Sequence, residues 1–121
     1  AACDIYIAPM GENASYEAAA IIADLRAGGI SAQTDVVGRS LKAQMKFADK
    51  IGAKYTMVLG DDEVASGKAK VKNMDSGETT EFELSELAEN FMGFIVHQET
   101  AALGESLDLD GVDLSAILNN L

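Results

Sequence analysis

The sequence predicts a three-layer α/β/α domain, and three observations carry that prediction. Short apolar segments alternate with amphipathic helical segments through the first half of the chain. Connections through helices make the strands they join parallel. Two cleanly alternating segments then follow around a tight turn, the pattern of an antiparallel pair with one solvated face. At 121 residues and 48% hydrophobic, the chain is one domain by length. A domain of that size can bury roughly two thirds of its unfolded surface.

Residues 4–9 are apolar, rich in β-formers and closed by Pro9 and Gly11, which predicts a buried strand. Residues 14–27 are helical, with Ala18, Ile21, Ile22 and Leu25 on one face and Gly28-Gly29 as the stop. Residues 30–37 form a second strand, parallel to the first. Ser40 caps a second helix that runs to Ile51 and ends at Gly52. Its inward stripe is Leu41, Met45 and Ala48, while Lys42, Lys46 and Lys50 recur at four-residue spacing as a basic ridge.

Residues 55–59 are a nearly continuous apolar strand, covered on both faces. Residues 60–67 are expected to be a loop. Residues 68–72 and 79–84 alternate, and Asp75-Ser76-Gly77 turns between them. If the two pair as a hairpin, Lys70 sits near Glu81 and Lys68 near Glu83. Ser85 is placed to cap a helix ending near Val96, with Leu87, Phe91, Phe94 and Ile95 inward. The expected organisation is a domain over residues 1–96 and an acidic tail over 97–121 with a short helix at 114–118.

Charge is distributed unevenly. All nine lysines and arginines lie in residues 26–72, against five acids there, while residues 1–25 carry four acids and residues 73–121 eleven. The total is −11. A polyanion needs local positive potential, which net charge does not report, so the central segment is where such a site is expected. A solvated face would place the same lysines without any ligand.

No apolar run approaches the ~18–20 residues of a membrane span, and no basic flank precedes the first apolar run as in a signal peptide. Cys3 has no second cysteine for an internal disulfide, which fits a reducing, cytoplasmic setting. Lone Cys3 and lone His97 are too few and too far apart for a metal set, and no catalytic constellation or Gly-rich phosphate loop is present. The start Ala-Ala-Cys-Asp, without methionine, is what a domain cut from a longer protein would show.

Parallel topology sends the loops after the first three strands to one sheet edge, where open α/β sheets bind ligands. Met10, Gly11 and Glu12 come from the first loop, Gly38, Arg39 and Ser40 from the second, and Asp61, Asp62 and Glu63 from the third. Arg39 beside a helix N-terminus suits a phosphate, and Lys42 and Lys46 extend the positive strip. Glu63 could accept hydrogen bonds from base amino groups. That set fits single-stranded RNA, although the three acids could equally be a solvated turn or hold a metal or phosphoryl group.

Three stretches carry a family resemblance. Val37-Gly-Arg-Ser-Leu-Lys-Ala-Gln-Met-Lys-Phe-Ala-Asp-Lys-Ile-Gly-Ala53 resembles the second-helix motif of the C-terminal anticodon-binding domain of histidyl-tRNA synthetases. Leu25-Arg-Ala-Gly-Gly-Ile30 is similar to the end of that family's first helix. Val58-Leu-Gly-Asp-Asp-Glu-Val-Ala-Ser-Gly-Lys68 is similar to its third strand and acidic loop. The resemblance covers roughly residues 4–96. It implies a five-stranded mixed sheet in order 2-1-3-4-5, with strand 4 antiparallel and three helices. It also implies binding of the tRNA anticodon loop, with no cofactor in this domain and ATP used by a separate catalytic domain of a homodimeric parent. Glu63 matches an acidic-loop residue that contacts bases, and Lys72 falls where a basic residue contacts the anticodon. The alternative is a regulatory or protein-interaction domain of the same fold that no longer binds RNA.

Overall fold

Residues 3–35 and 37–108 are described by the computed structural model. They form β1 (Ile5–Pro9), α1 (Glu12–Ala27), β2 (Ala32–Thr34), α2 (Leu41–Lys50), β3 (Tyr55–Leu59), α3 (Asp61–Ser66), β4 (Lys68–Asn73) and β5 (Thr79–Glu83). A 3-10 turn (Leu84–Glu86) and α4 (Leu87–Asp108) complete the order. The strands make one sheet, β2-β1-β3-β4-β5. β1 is parallel to β2 and β3, and β4 is antiparallel to both of its neighbours. This is the mixed sheet expected from the resemblance.

Successive residues of a strand face opposite sides, so β1 serves two layers. Tyr6 and Ala8 cluster with Cys3, Ala48 and Ala53, and Met45, Phe47 and Ile51 pack against them, so α2 covers that face. Ile5 and Ile7 point to the other face and are fully buried. There α1 turns Ala14, Ala18, Ile21, Ile22 and Leu25 inward, its predicted stripe extended by one residue.

The compact units of the chain meet at Asn90 and Phe91. In the second, the rings of Phe91 and Phe94 stack with centroids 6.2 Å apart. α4 continues past Val96 to Asp108, with no proline there to break it. The helix expected at 114–118 lies outside the described residues.

Four local expectations are corrected. Residues 60–67 hold a fourth α-helix, α3, instead of a loop. The Gly60 N–H donates to Glu63 Oε1 at 2.8 Å, and three acids in the first turn oppose the helix dipole. Gly67 ends α3 in the left-handed region (φ 74°), its N–H donating to the Glu63 carbonyl. β2 spans three residues, not eight, because the Asp35 carboxylate accepts the N–H groups of Val37 and Arg39 and curls the chain toward α2. Leu41, in the first turn of α2, is exposed, while Gln44 takes the inward position and is fully buried. Ser85 lies within the 3-10 turn, so it does not cap α4.

Cys3 is 2% exposed and its thiol lies 3.1 Å from the Ile5 carbonyl. Burial raises its pKa above the ordinary 9.0. The neutral thiol therefore contributes stability that is full below that value and is lost as pH rises through the folded pKa. Iodoacetamide at about pH 8 should alkylate the folded chain far more slowly than the urea-unfolded chain. Equal rates would place Cys3 outside the core.

Candidate nucleic-acid interface

All six predicted residues of the first two loops line one open cavity of about 460 Å3 at the carboxyl edge of the sheet. These are Met10, Gly11, Glu12, Gly38, Arg39 and Ser40. The Ser40 hydroxyl accepts the Ala43 N–H at 3.2 Å, which caps α2 as expected. Arg39 is anchored by three contacts. Its N–H donates to Asp35 Oδ2 at 2.6 Å, its Nε lies 3.8 Å from Asp35 Oδ1, and its guanidinium sits 5.2 Å from the Phe47 ring centroid. Phe47 in turn meets Tyr6 edge-on at 5.9 Å. Burial, and then the Asp35 charge, push the Tyr6 phenol pKa up. With 45% of its side chain exposed, Arg39 still presents a cation to the edge.

A second, larger depression of about 770 Å3 opens on the α2 side of the sheet. Thr56 and Val58 of β3, the three lysines of β4, and Thr79 and Glu81 of β5 line it, with Met45 and Glu63 at its margins. The origin is coverage: among the described residues, α2 packs chiefly on β1 and makes no substantial contact with β4 or β5. The alternation read in β4 follows from that, since Ala69 and Val71 are buried while Lys68, Lys70 and Lys72 are exposed.

The predicted pair Glu63 and Lys72 therefore shares one groove. Lys68 pairs with Glu83 in register and Lys70 with Glu81, as expected, whereas Lys72 faces Thr79 and has no cross-strand acid. Yet Lys68 and Lys70 also line the groove, so a cross-strand partner does not remove them from it.

Helical geometry divides the ridge on α2. At about 100° per residue, Lys42 lies about 60° around the helix from groove-lining Met45, whereas Lys46 lies about 100° beyond Met45, opposite the sheet. Both are exposed. Lys42 is thus the nearer of the two to the groove, and neither lines it. Sequence reasoning missed Gln44, whose Nε2 donates to the carbonyls of Pro9 at 3.1 Å and Arg39 at 2.9 Å. The available signal was a polar side chain four residues before inward Ala48.

A mixed sheet of this order, with a groove beside one helix where Lys68, Lys70 and Lys72 stand among Asp62, Glu63 and Glu81, defines an α/β module with a charged, open face. A family model described as the anticodon binding domain matches residues 4–92. The chain belongs to the anticodon-binding-domain family. It is 54% identical over 84 residues to a histidine–tRNA ligase of Acetivibrio thermocellus, covering 69% of this chain and 20% of that protein. A Clostridium perfringens histidine–tRNA ligase is 52% identical over 83 residues. The chain thus spans about 20% of the length of the curated relatives it matches. The crystal structure of apo S. aureus histidyl-tRNA synthetase superposes with a TM-score of 0.72 at 43% identity, over 74% of this chain and 26% of that one. A Cryptosporidium parvum prolyl-tRNA synthetase shares the fold (TM-score 0.74) at 13% identity.

Because one Glu63 oxygen holds the start of α3, Glu63→Ala should lower stability by about 1 kcal/mol in urea unfolding, while Glu63→Gln keeps most of it. Equal losses in both variants would show that the bond to Gly60 contributes nothing.

Proposed function

We propose that this chain is the anticodon-binding domain of a histidyl-tRNA synthetase. It would hold the tRNA anticodon loop while a separate catalytic domain performs ATP-dependent histidylation. The observation that carries this reading is the lysine-lined open sheet face with Glu63 at its margin, in a chain of the anticodon-binding family. The identity to histidine–tRNA ligases supports the histidine branch.

Each element of the groove has a task that its chemistry suits. Lys68, Lys70, Lys72 and Lys42 neutralise phosphates as flexible point charges. Met45 and Val58 give an apolar surface for base faces, and the Thr79 hydroxyl offers both a donor and an acceptor to base edges. Glu63 keeps one carboxylate oxygen for a base amino group while the other holds Gly60. Lysine in place of arginine at position 72 supplies charge without a bidentate fork, so base reading falls to Glu63 and the hydroxyls. Arg39 and the edge loops Met10–Glu12 and Gly38–Ser40 receive the backbone beyond the groove. On this reading the domain uses no cofactor of its own, and the parent is a cytoplasmic homodimer.

Fluorescence anisotropy with a stem-loop RNA carrying the histidine anticodon tests the proposal. Affinity should fall as salt rises. Replacing Lys68, Lys70 and Lys72 together by Ala should reduce the slope of log K against log salt by about 2, from ~0.7 per lost single-strand contact. Lys42→Ala should weaken binding more than Lys46→Ala, and Glu63→Ala should narrow discrimination between anticodons. Binding indifferent to anticodon substitution would overturn the reading and leave a protein-interaction role.

A further inference from the structure

We infer that Gln44 is a positioning residue that locks the Arg39 loop to the Glu63 helix, so that the edge cavity and the groove act as one site. The inference rests on the RNA-binding reading above for its function, but not for its geometry. Gln44 is 0% exposed on the inward face of α2. Its Nε2 donates to the Arg39 carbonyl at 2.9 Å and to the Pro9 carbonyl at 3.1 Å, which ties the loop before α2 to the end of β1. The same peptide continues the path: the Met10 N–H donates to the Leu59 carbonyl at 2.9 Å. The peptide after Leu59 completes it, because the Gly60 N–H donates to Glu63 Oε1 at 2.8 Å.

Four hydrogen bonds and two planar peptides thus run without a gap from Arg39 to Glu63. Asp35 holds Arg39 from the other side through its N–H, so both polar groups of that peptide unit's residue are engaged. Gln44 Oε1 is buried without a partner. An unpartnered buried acceptor lowers stability, so core packing alone is poorly served by glutamine here. Its two donor bonds are what the position gains. Asparagine is one methylene shorter and cannot span both carbonyls from the same backbone position.

The test combines an RNA-free measurement with a coupling measurement on the 121-residue chain. In Gln44→Met, amide hydrogen exchange should speed up by about tenfold at Met10 and Gly60 and stay unchanged at Met57 and Val71 in the central strands. Titration with the histidine anticodon stem-loop and a one-base variant should show Kd raised about tenfold and discrimination reduced. The double variant with Glu63→Ala should discriminate no worse than Glu63→Ala alone, since both act through one path. Unchanged exchange at Met10 and Gly60, or a uniform rise across the sheet, overturns the tie. Additive losses of discrimination overturn the coupling. Gln44→Asn, read by the same exchange pattern, replaces Gln44→Met should the latter fail to fold. If the wild-type chain does not bind the stem-loop, the RNA reading falls while the exchange pattern still decides whether Gln44 joins the loops.

Discussion

The width of a five-stranded sheet against the width of one helix is the constraint on which the rest of this structure depends. Neighbouring strands lie ~4.8 Å apart, so five span roughly 20 Å, while a helix with its side chains is about 10 Å across. One face is served by α1, with the 3-10 turn and the start of α4 beside it at Ile21 and Asp24. On the other face, among the described residues of the first compact unit, lie the ten residues of α2. α2 covers β1 and the adjoining side of β3, where Thr56 is buried, while the outward side chains of β4 and β5 are exposed on that side. An open face must be polar, which accounts for the alternation in β4 and β5. Threonine or serine would meet that demand equally well. Three lysines on one strand go beyond it and give the face the cations on which the proposed RNA-binding role rests.

Residues at this site serve folding and binding together. Glu63 starts α3 with one carboxylate oxygen and is left with another at the groove margin. Arg39 is fixed by Asp35 and Phe47 and is still about half exposed. Groups already held in place lose little freedom when a ligand arrives, so less of the interaction energy is spent on ordering them. Mutational effects at such positions combine lost stability with lost contacts. Conservative variants that keep the local bond, such as Glu63→Gln, are needed to separate the two.

The overall charge of −11 is compatible with a polyanion partner because charge acts locally. At physiological ionic strength, interactions fade over about 8 Å, so acids outside the groove do little to cancel its lysines, whereas Asp62, Glu63 and Glu81 stand among them. On the proposed reading, acids elsewhere on the protein would disfavour RNA away from the groove. Asp61 and Asp62, exposed in the first turn of α3, bound the positive surface at one end.

The sequence by itself determined the order of the strands and of α1, α2 and α4, the parallel core and the hairpin register. Each of these follows from local periodicity: the α1 stripe at Ala18, Ile21, Ile22 and Leu25, and the pairing of Lys68 with Glu83 and Lys70 with Glu81, were legible before any coordinates. It also brought Met10–Glu12 and Gly38–Ser40 to one edge, because parallel strands allow no other arrangement. Tertiary structure decided what depends on partners distant in sequence. Gln44 drew no reading from the sequence, and the carbonyls of Pro9 and Arg39 converge on it only in the folded chain. Residues 60–67 looked like a loop because six residues are too few for a helical stripe, and a side-chain bond to Gly60 made the difference. Lys42 and Lys46 looked equivalent until the groove lay on one side of α2. Periodicity records which face of an element is covered, whereas the extent of that cover and the side chains that meet at its edge are fixed only when the elements pack.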